Sequence, residues 1–183
     1  HDTLRELAEH ATVPVINGLT DEAHPCQTLA DLLTIRETFG DFDVSVAWVG
    51  DGNNVASSFA VGAAMVGLDL TVATPPDYGL SDAVLDRAGE LGSRPELVDT
   101  PEAAVADADV VYTDVWVNMG EEDEREARLA AFEDYQVNDA LLAESDARVM
   151  HCLPAHRGEE ITDEVVESER SLVWRQAENR MHA

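Results

Sequence analysis

The sequence contains no lysine, so all 11 of its basic residues are arginines. Against them stand 38 acidic residues, which give a formal net charge of -27. Self-repulsion on this scale destabilises a compact fold in dilute salt, whereas molar salt shortens the screening length to about 3 Å and removes most of the penalty. We therefore expect a protein of a halophilic organism, and we expect neither nucleic acid nor an anionic membrane as a partner.

Cysteines and long apolar runs are also scarce. Cys26 and Cys152 are the only two cysteines, and they do not form the spaced framework that cross-links small secreted domains. No apolar stretch approaches the roughly 20 residues that span a bilayer, and no signal peptide is visible at the start. These absences predict a cytoplasmic protein without a membrane anchor.

The sequence does contain a regular alternation of strand-like apolar runs with segments of helical period. The strand-like runs are residues 13–16, 44–49, 70–73, 96–98, 110–112 and 148–150. The helical segments are residues 29–39, 55–66, 83–91, 103–106 and 125–132, with a closing helix near the end. This alternation predicts an α/β fold, a doubly wound, mainly parallel sheet flanked by helices, as one domain over residues 1–183. Ligands of such sheets bind beyond the carboxyl ends of the strands.

A glycine-rich and asparagine-rich segment, residues 50–54, lies where a predicted strand turns into a helix. It departs from the dinucleotide-binding pattern G-x-G-x-x-G because position 55 is a valine, and no acidic residue closes the next strand to hold a ribose. A tight turn with an asparagine as helix cap explains the segment, and two amides at a helix N-terminus would equally hold a carboxylate. A nucleotide-binding oxidoreductase remains a competing hypothesis.

The segment His24-Pro25-Cys26-Gln27 is typical of a helix start, with proline in the first turn and His24 and Gln27 three residues apart. An imidazole can donate to a carbonyl oxygen, and an amide side chain can accept from an NH2 group. Together they would grip a carbamoyl group. A capping or surface role for His24 explains the segment as well.

Two further polar side chains follow predicted strands directly. Asp114 could pair with a substrate ammonium group or act as a cap. Cys152 could be a buried apolar residue, the commoner case, or a thiol whose pKa is lowered by nearby His151, His156 and Arg157 for proton transfer. The spacing of the cysteines and histidines lacks the usual zinc-ligand patterns, so we expect no metal.

Five segments, taken in order, resemble the second domain of ornithine carbamoyltransferases. They are H-P-C-Q, G-D-G-N-N, T-D-V-W-V-N-M-G, H-C-L-P-A-H-R-G and W-R-Q-A-E-N-R-M-H. Each is weak by itself, but five in this order and spacing are specific, and the resemblance covers essentially the whole chain. Aspartate carbamoyltransferases share H-P-x-Q but differ at the H-C-L-P segment. The resemblance implies a Rossmann-like carbamoyltransferase domain.

The resemblance also implies a reaction: the carbamoyl group of carbamoyl phosphate passes to the side-chain amine of L-ornithine, giving L-citrulline and phosphate without metal or organic cofactor. The residues it implies for carbamoyl phosphate are His24, Gln27 and Arg180. Those it implies for ornithine are Asn53, Asn54, Asp114, Asn118, Met119, Cys152 and Leu153. The expected catalytic residues are Cys152 and Asp114, which help deprotonate the amine, and His24 and Arg180, which stabilise the oxyanion.

The chain departs from the family in two respects. Asn118 stands where the family usually has serine, which leaves putrescine as an alternative amine. No Ser-Thr-Arg-Thr-type phosphate loop occurs in the sequence, so we expect the upstream carbamoyl phosphate domain to be absent and the isolated chain to be inactive. Family members assemble as trimers or multiples of trimers, which we expect of the full-length protein. A non-catalytic amino-acid-binding module is the alternative of another class.

Overall fold

A computed structural model describes residues 2–117 and 122–183. Within these ranges the strands are Ser45–Val49 (β1), Asp69–Ala73 (β2), Glu96–Val98 (β3), Val110–Thr113 (β4) and Arg148–His151 (β5). The α-helices are Asp2–His10 (α1), Pro25–Phe39 (α2), Asn54–Val66 (α3), Asp82–Leu91 (α4), Pro101–Val105 (α5), Arg125–Phe132 (α6), Asp163–Val166 (α7) and Val173–Asn179 (α8). Among the described helices, none is long and apolar enough to cross a membrane.

The five strands form one sheet in the order β3-β2-β1-β4-β5, and every neighbouring pair is parallel. This confirms the predicted fold class. Strand β2 lies on one side of β1, and β4 lies on the other side of β1. The strand order therefore switches direction between β1 and β4. Val46 pairs with Val110, and the two carboxyl ends therefore lie side by side. This is where an open parallel sheet binds ligands.

Helices cover both faces of the sheet, and each face has its own apolar core. On one face Ile35 of α2, Phe59 of α3 and Leu85 of α4 are buried against the sheet. On the other face Val105 of α5 and Phe132 of α6 belong to the second core cluster. A parallel sheet buried on both faces explains why β1 and β4 consist of near-continuous apolar residues rather than alternating ones.

Most predicted elements occur with bounds shifted by a few residues, and β3 and α6 occur with the predicted bounds. Capping residues determine several of the helix starts. Ser81 accepts a hydrogen bond from the Val84 N–H at the start of α4, and Thr100 accepts one from the Ala103 N–H at the start of α5. Such caps satisfy backbone donors that have no partner within the helix.

The strand predicted at residues 13–16 is absent, and this prediction is wrong. The segment is irregular, and Val13 and Ile16 are 69% and 79% exposed. Pro14 supplies no N–H to a ladder, and β1 to β5 pair with one another and not with this segment. The apolar residues of this segment are typical of a strand, but the described part of the chain contains no strand beside it with which it could pair.

Candidate active site at the carboxyl ends of the strands

A cavity of about 950 Å³ opens at the carboxyl ends of β1, β4 and β5. Six of the residues that the sequence singles out lie in its wall, namely His24, Asn53, Asn54, Asp114, Cys152 and Leu153. They come from the start of α2 and from the loops after three strands that are adjacent in the sheet. A second groove, of about 500 Å³, lies where β1 and β2 begin and contains none of these residues.

Asp114 is the centre of this arrangement. Its side chain is buried, its Oδ2 accepts a hydrogen bond from Asn53 Nδ2 at 2.8 Å, and its Oδ1 accepts one from Cys152 Sγ at 2.9 Å. The carboxylate therefore joins the loops that follow β1, β4 and β5. Among the described residues its hydrogen-bond donors are neutral, and a buried carboxylate of this kind is well suited to receive a cationic ligand group.

The thiol of Cys152 is a hydrogen-bond donor in this site. Burial raises its pKa well above the ordinary value, and the negative charge of Asp114 and the hydrogen bond to it raise the pKa further. The expectation that nearby cationic side chains lower this pKa is therefore wrong. Arg157 binds Asp163 and Glu167 instead, and the His151 ring makes contacts elsewhere.

His151 and Glu160 form a fully buried pair beneath the loop that carries Cys152. His151 Nε2 lies 3.0 Å from Glu160 Oε1, while His151 Nδ1 accepts a hydrogen bond from the Leu153 N–H at 2.9 Å. Since Nδ1 is an acceptor, Nε2 carries the proton and donates to Glu160. The His156 N–H donates to the same Glu160 oxygen at 2.6 Å. His151 thus holds the backbone next to Cys152 in place.

Asn53 and Asn54 have different partners although they are adjacent. Asn53 caps α3, because its Oδ1 accepts from the Val55 and Ala56 N–H groups, and its Nδ2 donates to Asp114. Asn54 Nδ2 donates to the Thr20 carbonyl at 2.7 Å. The predicted cap is confirmed for Asn53, and Asn54 faces the cavity from the first residue of the helix.

Glycine at position 52 allows the loops after β1 and β2 to touch. Its N–H donates to the Tyr78 carbonyl at 2.8 Å, and a Cβ at this position would lie 2.5 Å from the Gly79 carbonyl carbon. No side chain fits such an approach without backbone movement. The glycines of the G-D-G-N-N segment therefore close one wall of the cavity instead of cradling a dinucleotide.

His24 lies at the cavity wall, immediately before α2. Its backbone N–H donates to Ser58 Oγ at 2.7 Å, and its side chain makes no capping bond to the helix. Burial lowers the pKa of His24 and the charge of Arg180 lowers it further, against smaller opposing effects of the Gly18 backbone and Asp114. His24 is thus a neutral imidazole near pH 7, with one N–H to donate.

Gln27 and Arg180 are not among the residues that line the cavity. Gln27 is buried one turn into α2, and its Nε2 donates to Asp31 Oδ1 at 2.7 Å. Arg180 ends α8 and lies close enough to His24 and Asp31 to shift the pKa values of both. Asn118 and Met119, which the sequence also singled out, lie outside the described residues.

Sequence reasoning missed a buried ion pair in the cavity wall. Arg128 Nη1 donates to Asp51 Oδ2 and to the Trp116 carbonyl, both at 3.0 Å, and the guanidinium lies 5.1 Å from the centre of the Tyr78 ring. From the sequence, Asp51 was assigned only to a turn, and Arg128 only to the predicted helix at residues 125–132. The pair is 77 residues apart, and no spacing rule links such positions.

Within residues 2–117 and 122–183, two groups of side chains come close enough together to hold a metal ion. Asp114, His151 and Cys152 form one, and His156, Glu159 and Glu160 form the other. In the first group both His151 nitrogens and the Cys152 thiol already take part in hydrogen bonds. An ion bound there would have to displace those bonds.

Comparisons with known proteins agree with this arrangement. A family model described as aspartate/ornithine carbamoyltransferase, Asp/Orn binding domain, matches residues 42–183. A second, described as the carbamoyl-P binding domain of the same enzymes, matches residues 1–37, which include His24 and Gln27. The boundary between them falls just after α2, within the range that the sequence suggested as one domain.

Proteins and solved structures that are named ornithine carbamoyltransferase are similar to this chain over nearly its whole length. The ornithine carbamoyltransferase of Haloquadratum walsbyi is 69% identical over 184 residues, covering 100% of this chain and 61% of that protein. That of Archaeoglobus fulgidus is 55% identical with the same coverage. The ornithine carbamoyltransferase structure from Pyrococcus furiosus matches with a TM-score of 0.92 and 50% identity, covering 99% of this chain and 60% of that one. The chain thus spans about three fifths of the length of these relatives.

Proposed function

Because this chain belongs to the aspartate/ornithine carbamoyltransferase family, we propose that it supplies the amino-acid-binding half of an ornithine carbamoyltransferase active site. The reaction transfers the carbamoyl group of carbamoyl phosphate to the side-chain amine of L-ornithine, giving L-citrulline and phosphate. The observation that carries the proposal is the joining of Asp114 to Cys152 and Asn53 in the wall of the cavity. The names of the similar proteins support the same substrate.

In this proposal ornithine lies in the cavity with its α-ammonium group on Asp114 and its α-carboxylate on Asn54. Asp114 has only neutral hydrogen-bond donors among the described residues, so an ammonium group would supply its missing positive partner. Asn54 would give its Nδ2 to the carboxylate, with Asn53 beside it. Asn118, Met119 and the Leu153 backbone would add contacts, as the family resemblance implies.

The side-chain amine of ornithine must lose a proton before it attacks. An amine of this type has a pKa near 10.4 and is protonated at neutral pH. Cys152 cannot take this proton at neutral pH, because its pKa is raised well above the ordinary value and the group stays a protonated thiol. Asp114, which binds the thiol, is therefore the better group to draw the proton away, while Cys152 orients the amine.

The neutral amine then forms a bond to the carbamoyl carbon, and the carbonyl oxygen becomes an oxyanion. His24 would donate its single N–H to this oxygen, and Arg180 would add its positive charge. Gln27 would accept from the carbamoyl NH2 group. As the intermediate collapses, the bond between carbon and the phosphate oxygen breaks, phosphate leaves with the electron pair, and the attacking nitrogen gives its second proton to the departing phosphate.

Residues 1–183 act in this proposal as one ornithine-binding unit, because α2 packs against both α3 and α8. The sequence lacks a Ser-Thr-Arg-Thr-type phosphate loop, so a further domain would bind the phosphate and the chain alone would not turn over. We propose that the full-length protein is a cytoplasmic homotrimer, or a multiple of trimers, in a salt-rich cell. No metal or organic cofactor enters the proposed reaction.

The decisive experiment is an assay of the full-length polypeptide for carbamoylated product, with carbamoyl phosphate and, in parallel, ornithine, putrescine or lysine. We expect citrulline with ornithine and at least about 10-fold lower kcat/KM with the other amines, because putrescine lacks the carboxylate that Asn54 would bind and lysine is one methylene longer. A preference for putrescine would replace ornithine with the alternative amine. No product with any amine would favour a non-catalytic binding module.

A binding measurement separates this function from the oxidoreductase hypothesis. A bisubstrate mimic that joins ornithine to carbamoyl phosphate is expected to raise the melting temperature of the full-length protein, whereas NAD and NADP are expected to leave it unchanged. Stabilisation by a dinucleotide and not by the mimic would contradict the proposed function.

A further inference from the structure

Asp31 is a buried carboxylate on α2 to which the reaction proposed above assigns no role. Its side chain is fully buried and has three hydrogen-bond donors in the part of the chain that the structure describes, all of them neutral. Gln27 Nε2 and Gln176 Nε2 each donate to Oδ1 at 2.7 Å, and Tyr112 Oη donates to Oδ2 at 2.9 Å. The donors come from α2, α8 and β4, so the carboxylate is held from three directions.

We infer that Asp31 is a positioning residue, which fixes the side-chain amide of Gln27 with its oxygen free to accept from the carbamoyl NH2 group. The inference rests on the proposed function, because it concerns the same half of the site. Asp31 Oδ1 accepts from both amide groups, and a carboxyl oxygen that carries no proton only accepts hydrogen bonds. The Gln27 amide must therefore direct its NH2 group toward Asp31, which leaves Gln27 Oε1 to accept a different hydrogen bond.

The carboxylate is itself held firmly enough to determine this orientation. Gln176 Oε1 accepts a hydrogen bond from the His151 N–H at 2.9 Å, at the end of β5. Gln176 thereby connects Asp31 to the strand that leads into Cys152. Tyr112 belongs to β4, which leads into Asp114. Asp31 is thus tied to the two strand ends that carry the ornithine side of the site.

A neutral acceptor would not determine the amide orientation in the same way. Asparagine at position 31 is nearly isosteric with aspartate, but it presents one acceptor and one donor end. It can pair with either end of the Gln27 amide, so the amide would be free to turn over. Burial raises the pKa of Asp31 to about 7, whereas its hydrogen bonds and the charge of Arg180 lower it, so the carboxylate form that is required there predominates above about pH 7.

The test is a double-mutant cycle in the full-length polypeptide with Asp31→Asn, Gln27→Ala and the double variant. We expect Asp31→Asn to lower kcat/KM for carbamoyl phosphate by about 10-fold to 100-fold and to change the KM for ornithine by less than about threefold. In the Gln27→Ala background Asp31→Asn should add less than about threefold, because the residue it acts through is gone. Fold-changes that multiply in the double variant would overturn the inference.

Thr34→Val provides a matched control on the same helix. Thr34 is also fully buried on α2 and accepts a bond from Asn179 Nδ2 of α8 at 2.9 Å, so the variant loosens the same helix contact without touching Gln27. We expect a lower melting temperature and unchanged kcat/KM. A loss of kcat/KM as large as that of Asp31→Asn would mean that Asp31 acts only by holding α2 against α8. If the unaltered protein forms no citrulline, that result contradicts the proposed function and not the orientation of Gln27 by Asp31.

Discussion

Cys152 Sγ donates a 2.9 Å hydrogen bond to Asp114 Oδ1, although 38 residues separate the two in the chain. The contact exists because β4 and β5 are neighbours in the sheet, with Thr113 opposite His151, and each of the two residues follows its strand directly. The thiol is the donor and the carboxylate the acceptor. This assignment of roles leads to the first two predictions.

Loss of the Asp114 carboxylate is expected to lower turnover far more than loss of either thiol. Asp114→Ala in the full-length protein should reduce kcat at least about 100-fold, because a group that draws a proton away contributes 100-fold to 10,000-fold. Cys152→Ala should reduce kcat by an intermediate factor. Cys26→Ala is the control, since Cys26 Sγ donates to the Asn17 carbonyl and the residue lies outside the cavity wall. Equal effects of the two cysteine variants in a citrulline assay would contradict these roles.

The raised pKa of Cys152 predicts slow reaction with alkylating reagents. The thiolate is the reactive form, so modification of Cys152 by iodoacetamide should rise only at a pH above the usual range for cysteine. Asp114→Asn removes the negative charge and should shift the rate profile to lower pH, although burial, the largest cause of the raised pKa, remains. Peptide mass spectrometry after timed alkylation measures both profiles. A profile that shifts to higher pH in the variant would contradict the electrostatic account.

The raised pKa of Asp31 predicts a specific dependence of stability on pH. Burial raises this pKa from 3.8 to about 7, so the folded state binds the proton more tightly than the unfolded state. The resulting stabilisation is complete below the unfolded pKa and is lost as pH rises through the folded one, by about 4 kcal/mol in total.

Chemical unfolding of the parent protein and of Asp31→Asn across this range tests the dependence. The free energy of unfolding of the parent, relative to that of the variant, is expected to fall as the pH rises from about 4 to about 7. The comparison between the two removes the effect of the other acidic residues, which titrate in both. A difference that stays constant or grows with pH would show that the pKa of Asp31 is not raised.

The buried His151–Glu160 pair predicts a large stability loss when its carboxylate is removed. Glu160→Ala would leave the His151 Nε2–H and the His156 N–H without their acceptor, which costs about 3 kcal/mol or more. Glu159→Ala is the matched control one residue earlier, because Glu159 pairs with Arg125 at the partly exposed surface and should cost less than about 1 kcal/mol. Urea unfolding measures both. Similar losses would contradict a structural role for the buried pair.

The charge of the chain predicts that salt stabilises it. With a net charge of -27, the melting temperature should rise from about 0.1 M to molar KCl as the repulsion is screened. A variant in which several exposed acidic residues are replaced by amides should show a smaller rise. A melting temperature that does not respond to molar KCl would remove the argument for a halophilic origin.

The order and type of most elements could be predicted from the sequence, because they depend on local properties. Each strand that leads into the site is a short apolar run, and helices α2 to α5 begin with a proline or a capping side chain. The same local pattern failed at residues 13–16, where an apolar run has no strand beside it. A strand forms only when two segments pair through backbone hydrogen bonds, so the residues of one segment alone cannot predict it.

The candidate site was predictable to the extent that its residues follow strands directly. Asn53, Asn54, Asp114 and Cys152 lie together because the carboxyl ends of parallel strands share one edge. The partners of Asp31 and Arg128 were not predictable, since they come from elements far apart in the chain. The predicted direction of the Cys152 pKa shift was also wrong. Cationic side chains near Cys152 in the sequence would lower this pKa, whereas burial and the charge of Asp114 raise it.

The sequence by itself determined the fold class, the edge of the sheet that binds ligands and several of the side chains that line the cavity, because these depend on local pattern. Only the tertiary structure decided which of those side chains touch one another and in what chemical form. Hydrogen-bond partners, burial and pKa depend on the distances between segments that meet only after folding. The thiol of Cys152 is a donor to Asp114 for this reason, and Gln27 is oriented by a carboxylate that no motif identified.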